Sequence, residues 1–229
     1  MKYFAYGTNC SPAVLERKAV RFRSRARASL PGHRLIFNKR ALREQLPDDI
    51  GFANVEEAPD AVVEGILYEL DPEDLERLDE SERSPEHYER VEVSVETEAG
   101  GESAFTYLAR PEVTAEGLRP SRNYLKHILE AGDFLSRSYY DALVSWQTYA
   151  APCSCCDKEQ EVVFVRGGDR MYVLCQPCRE ARHAWSGTLG RRMTVPEARA
   201  VMQLARERGG FGSLRELIDE AISAAVLKP

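Results

Sequence analysis

Two groups of residues have the types and spacing to do chemistry. The first is Cys153, Cys156, Cys175 and Cys178, two C-x-x-C units with 18 residues between the inner pair. Paired units of this kind bring four thiolates to tetrahedral positions, which points to zinc. Four sulfurs close the coordination shell, so the zinc is expected to be structural rather than catalytic. The intervening EVVFVRGGDRMYVL reads as a hairpin turning at Gly167-Gly168, the layout of a zinc ribbon. Cys155 is the spare thiol, and the symmetric spacing disfavours His183 as a substitute ligand. The second group is YFAYGTNCSP, residues 3–12. An apolar strand stops at Gly7, a hydroxyl and an amide follow at Thr8 and Asn9, and Ser11-Pro12 reads as a helix cap and first helical residue. A strand–turn–helix start gathers free backbone N–H groups around one point and favours an anion. Gly7 lets the backbone approach a ligand closely. Turns of this composition also occur where nothing is bound.

The elements around these residues read as several strands and few helices, an α+β pattern. Residues 2–6 form a first strand, and Pro12 opens a helix through about Arg17. From Val20 to Leu30 the chain alternates, with Arg21, Arg23, Arg25 and Arg27 on one side. That row reads as the wet face of a strand, with an anion patch as the alternative. Strands are expected at 33–38, 51–56 and 62–70, the last two separated by a turn at Ala58-Pro59-Asp60. Asp71-Pro72-Glu73 starts a helix through about Leu78. Strands 89–97 and 103–109 flank a turn at Ala99-Gly100-Gly101, and helices follow at about 121–132 and 136–147. Ala150-Ala151-Pro152 reads as a break. The tail carries two helices with capping boxes, Thr194 with Glu197 and Ser213 with Glu216. Their apolar stripes are expected to cover the ribbon or a second copy of the chain, which leaves a homodimer open.

Composition narrows the classes. At 43% hydrophobic and 30% charged residues the chain can build a core. A net charge of −6 argues against a general nucleic-acid binder. No apolar run approaches a membrane span. MKYFAYGTN has no signal-peptide layout, so a cytoplasmic location is expected. Six arginines against Asp169 and Glu180 between residues 166 and 192 leave a local surplus of positive charge. That surplus could serve a nucleic-acid or protein partner of the ribbon.

Several segments in order resemble the γ-glutamylcyclotransferase family (AIG2-like or BtrG-like). YFAYGTN is similar to its Y-G-S-N signature. GFANVEEAPDAVVEGILYEL, residues 51–70, resembles its central hairpin, and LERLDESERSPEHYERVEVSV, residues 75–95, its L-D-x-x-E-G…Y…V-x-V block. FTYLA and PSRNYLKHILEAGDFLSRSYYDALVSW are similar to the next strand and the last helices. The resemblance implies a small mixed β-barrel of the γ-glutamylcyclotransferase-like type with flanking helices over residues 1–149. The zinc ribbon and two-helix tail then occupy 150–229.

The resemblance also implies a reaction. The α-amine of a γ-glutamyl group attacks its own γ-carbonyl, giving 5-oxoproline and a free amine. An α-amine with pKa near 8 needs a base, and the departing nitrogen needs an acid; one carboxyl can serve both steps. Glu82, in LDESER, matches the family's catalytic Glu. By the same match the α-carboxylate of a small γ-glutamyl substrate sits in the turn Tyr6, Gly7, Thr8 and Asn9, with Tyr3 and Tyr124 as further substrate contacts. Tyr88 and Tyr107 match family tyrosines but are expected to pack in the core. Thr8 stands for the usual Ser. Arg83 stands for a common Gly, which questions the geometry beside Glu82 if that Gly adopts φ > 0. Cys10 is expected to be a small buried side chain rather than a nucleophile. The reading from another class is a non-catalytic adaptor that binds a small ligand while its ribbon recruits a macromolecule. A third keeps the pocket but hydrolyses or transfers the γ-glutamyl group.

Overall fold

In the computed structural model, which describes residues 1–42 and 46–226, the apolar run KYFA becomes β1 (Lys2–Ala5), with Phe4 and Ala5 fully buried. It pairs antiparallel with β3 (Gly51–Leu70) and parallel with β5 (Gly100–Ala109), where Tyr3 faces Phe105. Those two pairings, with β2 (Phe22–Arg40) and β4 (Tyr88–Thr97), close a five-strand mixed barrel in the order β1-β3-β2-β4-β5. Closure leaves no open sheet edge. The apolar core of this unit takes in Phe4 on one face of the sheet, Ile66 and Tyr68 on the other, and Leu78 from the helix that follows β3. Each such burial contributes about 1.5–3 kcal/mol.

Four shorter strands were expected where two long ones run. The chain does not reverse at Ala58-Pro59-Asp60. The β2–β3 register instead jumps from Pro31 opposite Val62 to His33 opposite Glu57, so residues 58–61 face only Gly32. This is a bulge, and Pro59 is tolerated there because its missing N–H interrupts no ladder. The β4–β5 hairpin turns where expected, with Thr97 paired to Gly100. Arg21, Arg23, Arg25 and Arg27 are exposed, and Arg21 and Arg23 bond Asp74 and Asp71; Ser24 and Ala26 are exposed as well and the register shifts between Phe22 and Ser24, so this stretch is wet on both sides rather than on one face.

Helices α1 (Pro12–Arg17), α2 (Leu75–Glu82), α3 (Arg122–Leu129) and α4 (Arg137–Val144) flank the barrel. The last two start at Ser121 and Ser136, whose hydroxyls accept the N–H of Tyr124 and Tyr139. Both end earlier than the apolar pattern suggested, and a single 3-10 turn (Gly132–Phe134) lies between them.

The chain divides into two compact units, Met1–Thr148 and the residues from Tyr149 onward. That division falls beside the break expected at Ala150-Ala151-Pro152, and within the second unit Ala150–Pro152 form a strand, β6, paired with residues 159–161 of β7 (Glu159–Gly167). β7 and β8 (Arg170–Cys175) form the ribbon hairpin. Helices α5 (Gln176–Leu189), α6 (Val195–Glu207) and α7 (Leu214–Val226) follow. Thr194 and Glu197 make the expected capping box. At Ser213 the backbone carbonyl accepts Leu217 N–H. The apolar stripe Ala198, Val201, Ala205, Leu217, Ile218 packs in one cluster with the cysteines, so the tail helices cover the ribbon of their own chain. No helix among the described residues is long and apolar enough to cross a membrane.

Candidate functional site

The turn after β1 folds back at once. Cys10 N–H bonds Gly7 carbonyl and Ser11 N–H bonds Thr8 carbonyl, each at 3.0 Å, closing a 3-10 turn before α1. Those two donors are therefore spent. The donor set expected from the sequence narrows to the earlier residues of the turn, and the six-residue α1 adds nothing to it.

Glu82 is the last residue of α2, and its side chain is 16% exposed. Its Oε1 accepts Asn9 Nδ2 at 2.9 Å and Lys18 Nζ at 2.6 Å. Lys18 also donates to Asn9 Oδ1 at 2.8 Å, so amide, ammonium and carboxylate form a closed triangle. Asn9 Nδ2 further donates to the Tyr3 phenol oxygen at 2.8 Å. Glu82 Oε2 has no hydrogen-bond partner among the described residues. The carboxyl is thus pinned by one oxygen and free at the other. Lys18 thus supplies the carboxylate with a cation that nothing near Glu82 in the sequence announces.

A cavity of about 40 Å³ is lined by Tyr3, Tyr6, Gly7, Thr8, Asn9, Ala53, Glu82, Tyr88, Tyr107 and Tyr124. Every barrel residue singled out from the sequence as a catalytic or substrate contact is therefore at one place. A cleft of about 270 Å³ shares Thr8, Glu82, Tyr88 and Tyr124 with it and adds Lys18, Lys39, Phe52 and His87. The small cavity continues outward past Glu82 into this larger space.

Tyrosines build most of the inner wall. Tyr124 oxygen accepts Ala53 N–H at 3.0 Å, and Tyr88 donates to Ala53 carbonyl at 2.9 Å, so two phenols clamp one residue of β3. Tyr6 donates to Tyr107 carbonyl, and Tyr107 donates to Asp79 at 2.6 Å. Burial first, then neighbouring phenols and Glu82, push the pKa of Tyr6 and Tyr88 far above the phenol range. Burial, then the charge of Glu82, does the same to Tyr3. These phenols stay neutral, and Glu82 is the one carboxylate lining the cavity among the described residues. Tyr88 and Tyr107, expected to be packing residues, are packed and also line the cavity. Lys18, Ala53 and Asp79 were missed.

A Cβ on Gly7 would lie 3.3 Å from Ala53 Cβ and 3.4 Å from the Tyr124 oxygen, so a side chain there would press on both walls of the turn. Arg83 ends α2 with φ 52° and ψ 48°, in the left-handed region. It takes the conformation a Gly would supply, and its side chain is exposed. Cys10 is fully buried, donates to Ala5 carbonyl at 3.2 Å, and burial pushes its pKa up to about 12. Such a thiol is inert.

In the second unit the Sγ atoms of Cys153, Cys156, Cys175 and Cys178 all lie within 4.8 Å of one another, and all four residues are buried. Cys156 and Cys175 sulfurs are 3.8 Å apart, matching the tetrahedral edge of about 3.8 Å that Zn–S bonds of about 2.3 Å require. Cys153 Sγ accepts the N–H of Cys175 at 3.3 Å and of Cys155 at 3.4 Å. Burial works to raise the pKa of this thiol, but those donors prevail and bring it to about 7. The donor set and its spacing fit a zinc ribbon. Cys155 lies outside the four, and burial raises its pKa to about 11.

The sequence profile of the gamma-glutamyl cyclotransferase, AIG2-like family matches residues 3–134. No curated protein matches the chain. A solved structure described as a gamma-glutamyl cyclotransferase is similar with TM-score 0.56 and 24% identity, covering 65% of this chain and 88% of its own. A human protein described as uncharacterized protein loc79017 is similar with TM-score 0.54 and 25% identity over 65% and 88%. YkqA from Bacillus subtilis is similar with TM-score 0.55 and 22% identity over 65% of this chain and 56% of its own. The profile match takes in the whole barrel, the turn after β1 and Glu82, more than half of the sequence. The chain belongs to the gamma-glutamyl cyclotransferase, AIG2-like family.

Proposed function

We propose that this protein is a cyclotransferase that releases 5-oxoproline and a free amine from a γ-glutamyl amine or amide. One observation carries the reading beyond family membership: Glu82 has one oxygen pinned by Asn9 and Lys18 and the other unpartnered, in a cavity shared with the turn Tyr6-Gly7-Thr8-Asn9. The glutamyl α-carboxylate binds at the turn, where Tyr124 and the early N–H groups converge. The α-amine faces Glu82 Oε2. Glu82 takes a proton from the amine as the nitrogen attacks the γ-carbonyl, forming the ring C–N bond. It returns the proton to the leaving nitrogen as the original C–N bond breaks. The neutral tyrosines exclude water and leave Glu82 as the one carboxylate lining the cavity among the described residues. The departing amine lies in the outer cleft beside Phe52 and His87.

The adaptor reading leaned on Arg83, and its weight falls because Arg83 adopts the left-handed conformation expected of Gly. In the same proposal Cys153, Cys156, Cys175 and Cys178 hold a zinc ion that serves folding and takes no part in the reaction.

The test is incubation with a panel of γ-glutamyl amino acids, amines and peptides, with 5-oxoproline read by mass spectrometry. Glu82→Gln should lose about 10²–10⁴ in turnover. Undiminished turnover by that variant removes the assignment of Glu82. Free glutamate in place of 5-oxoproline makes the reaction hydrolysis.

A further inference from the structure

The second unit holds a cluster of cations that neither the thiol cluster nor the proposed reaction uses. Of the six arginines between residues 166 and 192, Arg191 has a carboxylate partner, Glu197, at 2.6 Å. Arg182 has none among the described residues. It rises half-buried from α5 and donates Nη1 to Met193 carbonyl at 2.9 Å, while its Nε is buried without an acceptor. Burial, then the charges of Arg192 and Arg179, pull its pKa below the ordinary arginine value. Guanidinium groups crowded together repel one another, and an anion seated among them would relieve that repulsion.

The surface beside them is concave. One cleft of about 900 Å³ is lined by Arg179, Arg182, His183 and Arg192 among others. A second, of about 430 Å³, is lined by Arg166, Arg182, Arg192 and Tyr172 among others. Arg182 and Arg192 line both. The cations therefore form a row, with Arg166 at one end, Arg182 and Arg192 in the middle, and Arg179 at the other. Glu180 also borders the larger cleft, where its Oε1 accepts Gln176 Nε2 at 2.6 Å and its charge offsets part of the positive field at that end. A single small anion would need only the middle pair. A row across two clefts suits regularly spaced anions on one chain. Guanidinium forks match phosphate oxygens, and an aromatic ring beside them offers a base a stacking face.

We propose that the row Arg166, Arg182, Arg192, Arg179 binds the sugar–phosphate backbone of a single-stranded nucleic acid. The net charge of −6 confines the attraction to this surface, so the complex should be strongly salt-sensitive. Four arginines engaging about four phosphates give a log–log salt slope near −3 for a single strand.

The test is fluorescence anisotropy of short labelled RNA, single-stranded DNA and duplex DNA with the full-length protein, between about 50 and 200 mM salt. Both single strands should bind, and RNA against DNA identifies the source. The variant Arg166→Gln/Arg179→Gln/Arg192→Gln changes only exposed side chains. It should weaken binding at least about tenfold and reduce the salt slope by about 2. Arg170→Gln, which lines neither cleft, should bind like the parent. Three results overturn the proposal: no binding at the lowest salt, undiminished binding by the triple variant, or a duplex bound more tightly than the strands. Inorganic phosphate that competes as well as a strand does would reduce the row to a single-anion site. None of these outcomes bears on 5-oxoproline release.

Discussion

Replacing Lys18 by Met removes an ammonium that lies 2.6 Å from Glu82 Oε1 while keeping most of its apolar stem. The two side chains are 22% and 16% exposed. The pair is thus more buried than surface pairs, which contribute about 0–1 kcal/mol, and less buried than those whose breakage costs about 3–5 kcal/mol. A coupling of about 1–3 kcal/mol follows from that position between the two limits. Lys18→Met and Glu82→Gln should each destabilise the protein, and the double variant should be destabilised by less than the sum of the two. Urea denaturation of the four proteins completes the cycle. Turnover should fall as well. Without Lys18, Asn9 alone holds Oε1 at 2.9 Å, and the carboxylate gains freedom to turn. Looser positioning of the base should lower kcat by about tenfold while KM moves little. Additive stabilities to within about 0.5 kcal/mol would show that the pair carries no energy. Parent-like kcat in Lys18→Met would show that the triangle does not position the base.

Tyr124→Phe leaves the N–H of Ala53 without its acceptor at 3.0 Å, which should cost about 1–3 kcal/mol in urea denaturation. Arg83→Gly relieves a left-handed residue at φ 52° and should raise stability by about 1 kcal/mol with turnover retained. Lost activity there would give the Arg83 side chain a role it is not assigned. Asp74 is fully buried and bonded by Arg21, which holds its carboxyl below the usual range. A depressed folded-state pKa stabilises above the unfolded value of about 4 and is lost as pH falls through the folded one. Parent stability should therefore decline below about pH 4, and Asp74→Asn should flatten that decline, as read by urea midpoints across pH. Removing zinc with a chelator should melt the second unit, because structural zinc contributes about 10–16 kcal/mol of apparent binding energy. Metal analysis should find one zinc per chain. A metal-free preparation with unchanged circular dichroism would refute that site.

The parts of the site that read clearly in the sequence are the local ones. The turn at Tyr6–Asn9 stands out because Gly7 stops an apolar strand and polar residues follow. The thiol cluster stands out because each C-x-x-C unit is a local ligand pair. Glu82 does not stand out, since it closes a run of acids from Glu73, and only family resemblance separates it from them. Lys18 has no local signal: its contact with Glu82 spans 64 residues and exists only in the folded chain. Tyr88 and Tyr107 were read as core because burial and cavity lining leave the same apolar mark on a strand. Their hydroxyl partners, Ala53 carbonyl and Asp79, are tertiary facts. The bulge at residues 58–61 was read as a turn because Pro and Asp suit both, and only the register distinguishes them.

Arg83 joins the two kinds of information. Its departure from Gly is visible in the sequence, but its effect depends on backbone geometry. By turning left-handed it stops α2 with Glu82 as the final residue, with Arg83 N–H bonded to Glu80 carbonyl and Ser84 N–H to Asp79 carbonyl. Successive helical residues are rotated by about 100°, so a helix end displaced by one residue would swing the carboxylate away from Asn9 and Lys18. What the position demands is a residue that holds the left-handed stop. A side chain costs some conformational energy there, yet it leaves the carboxylate aimed at the cavity.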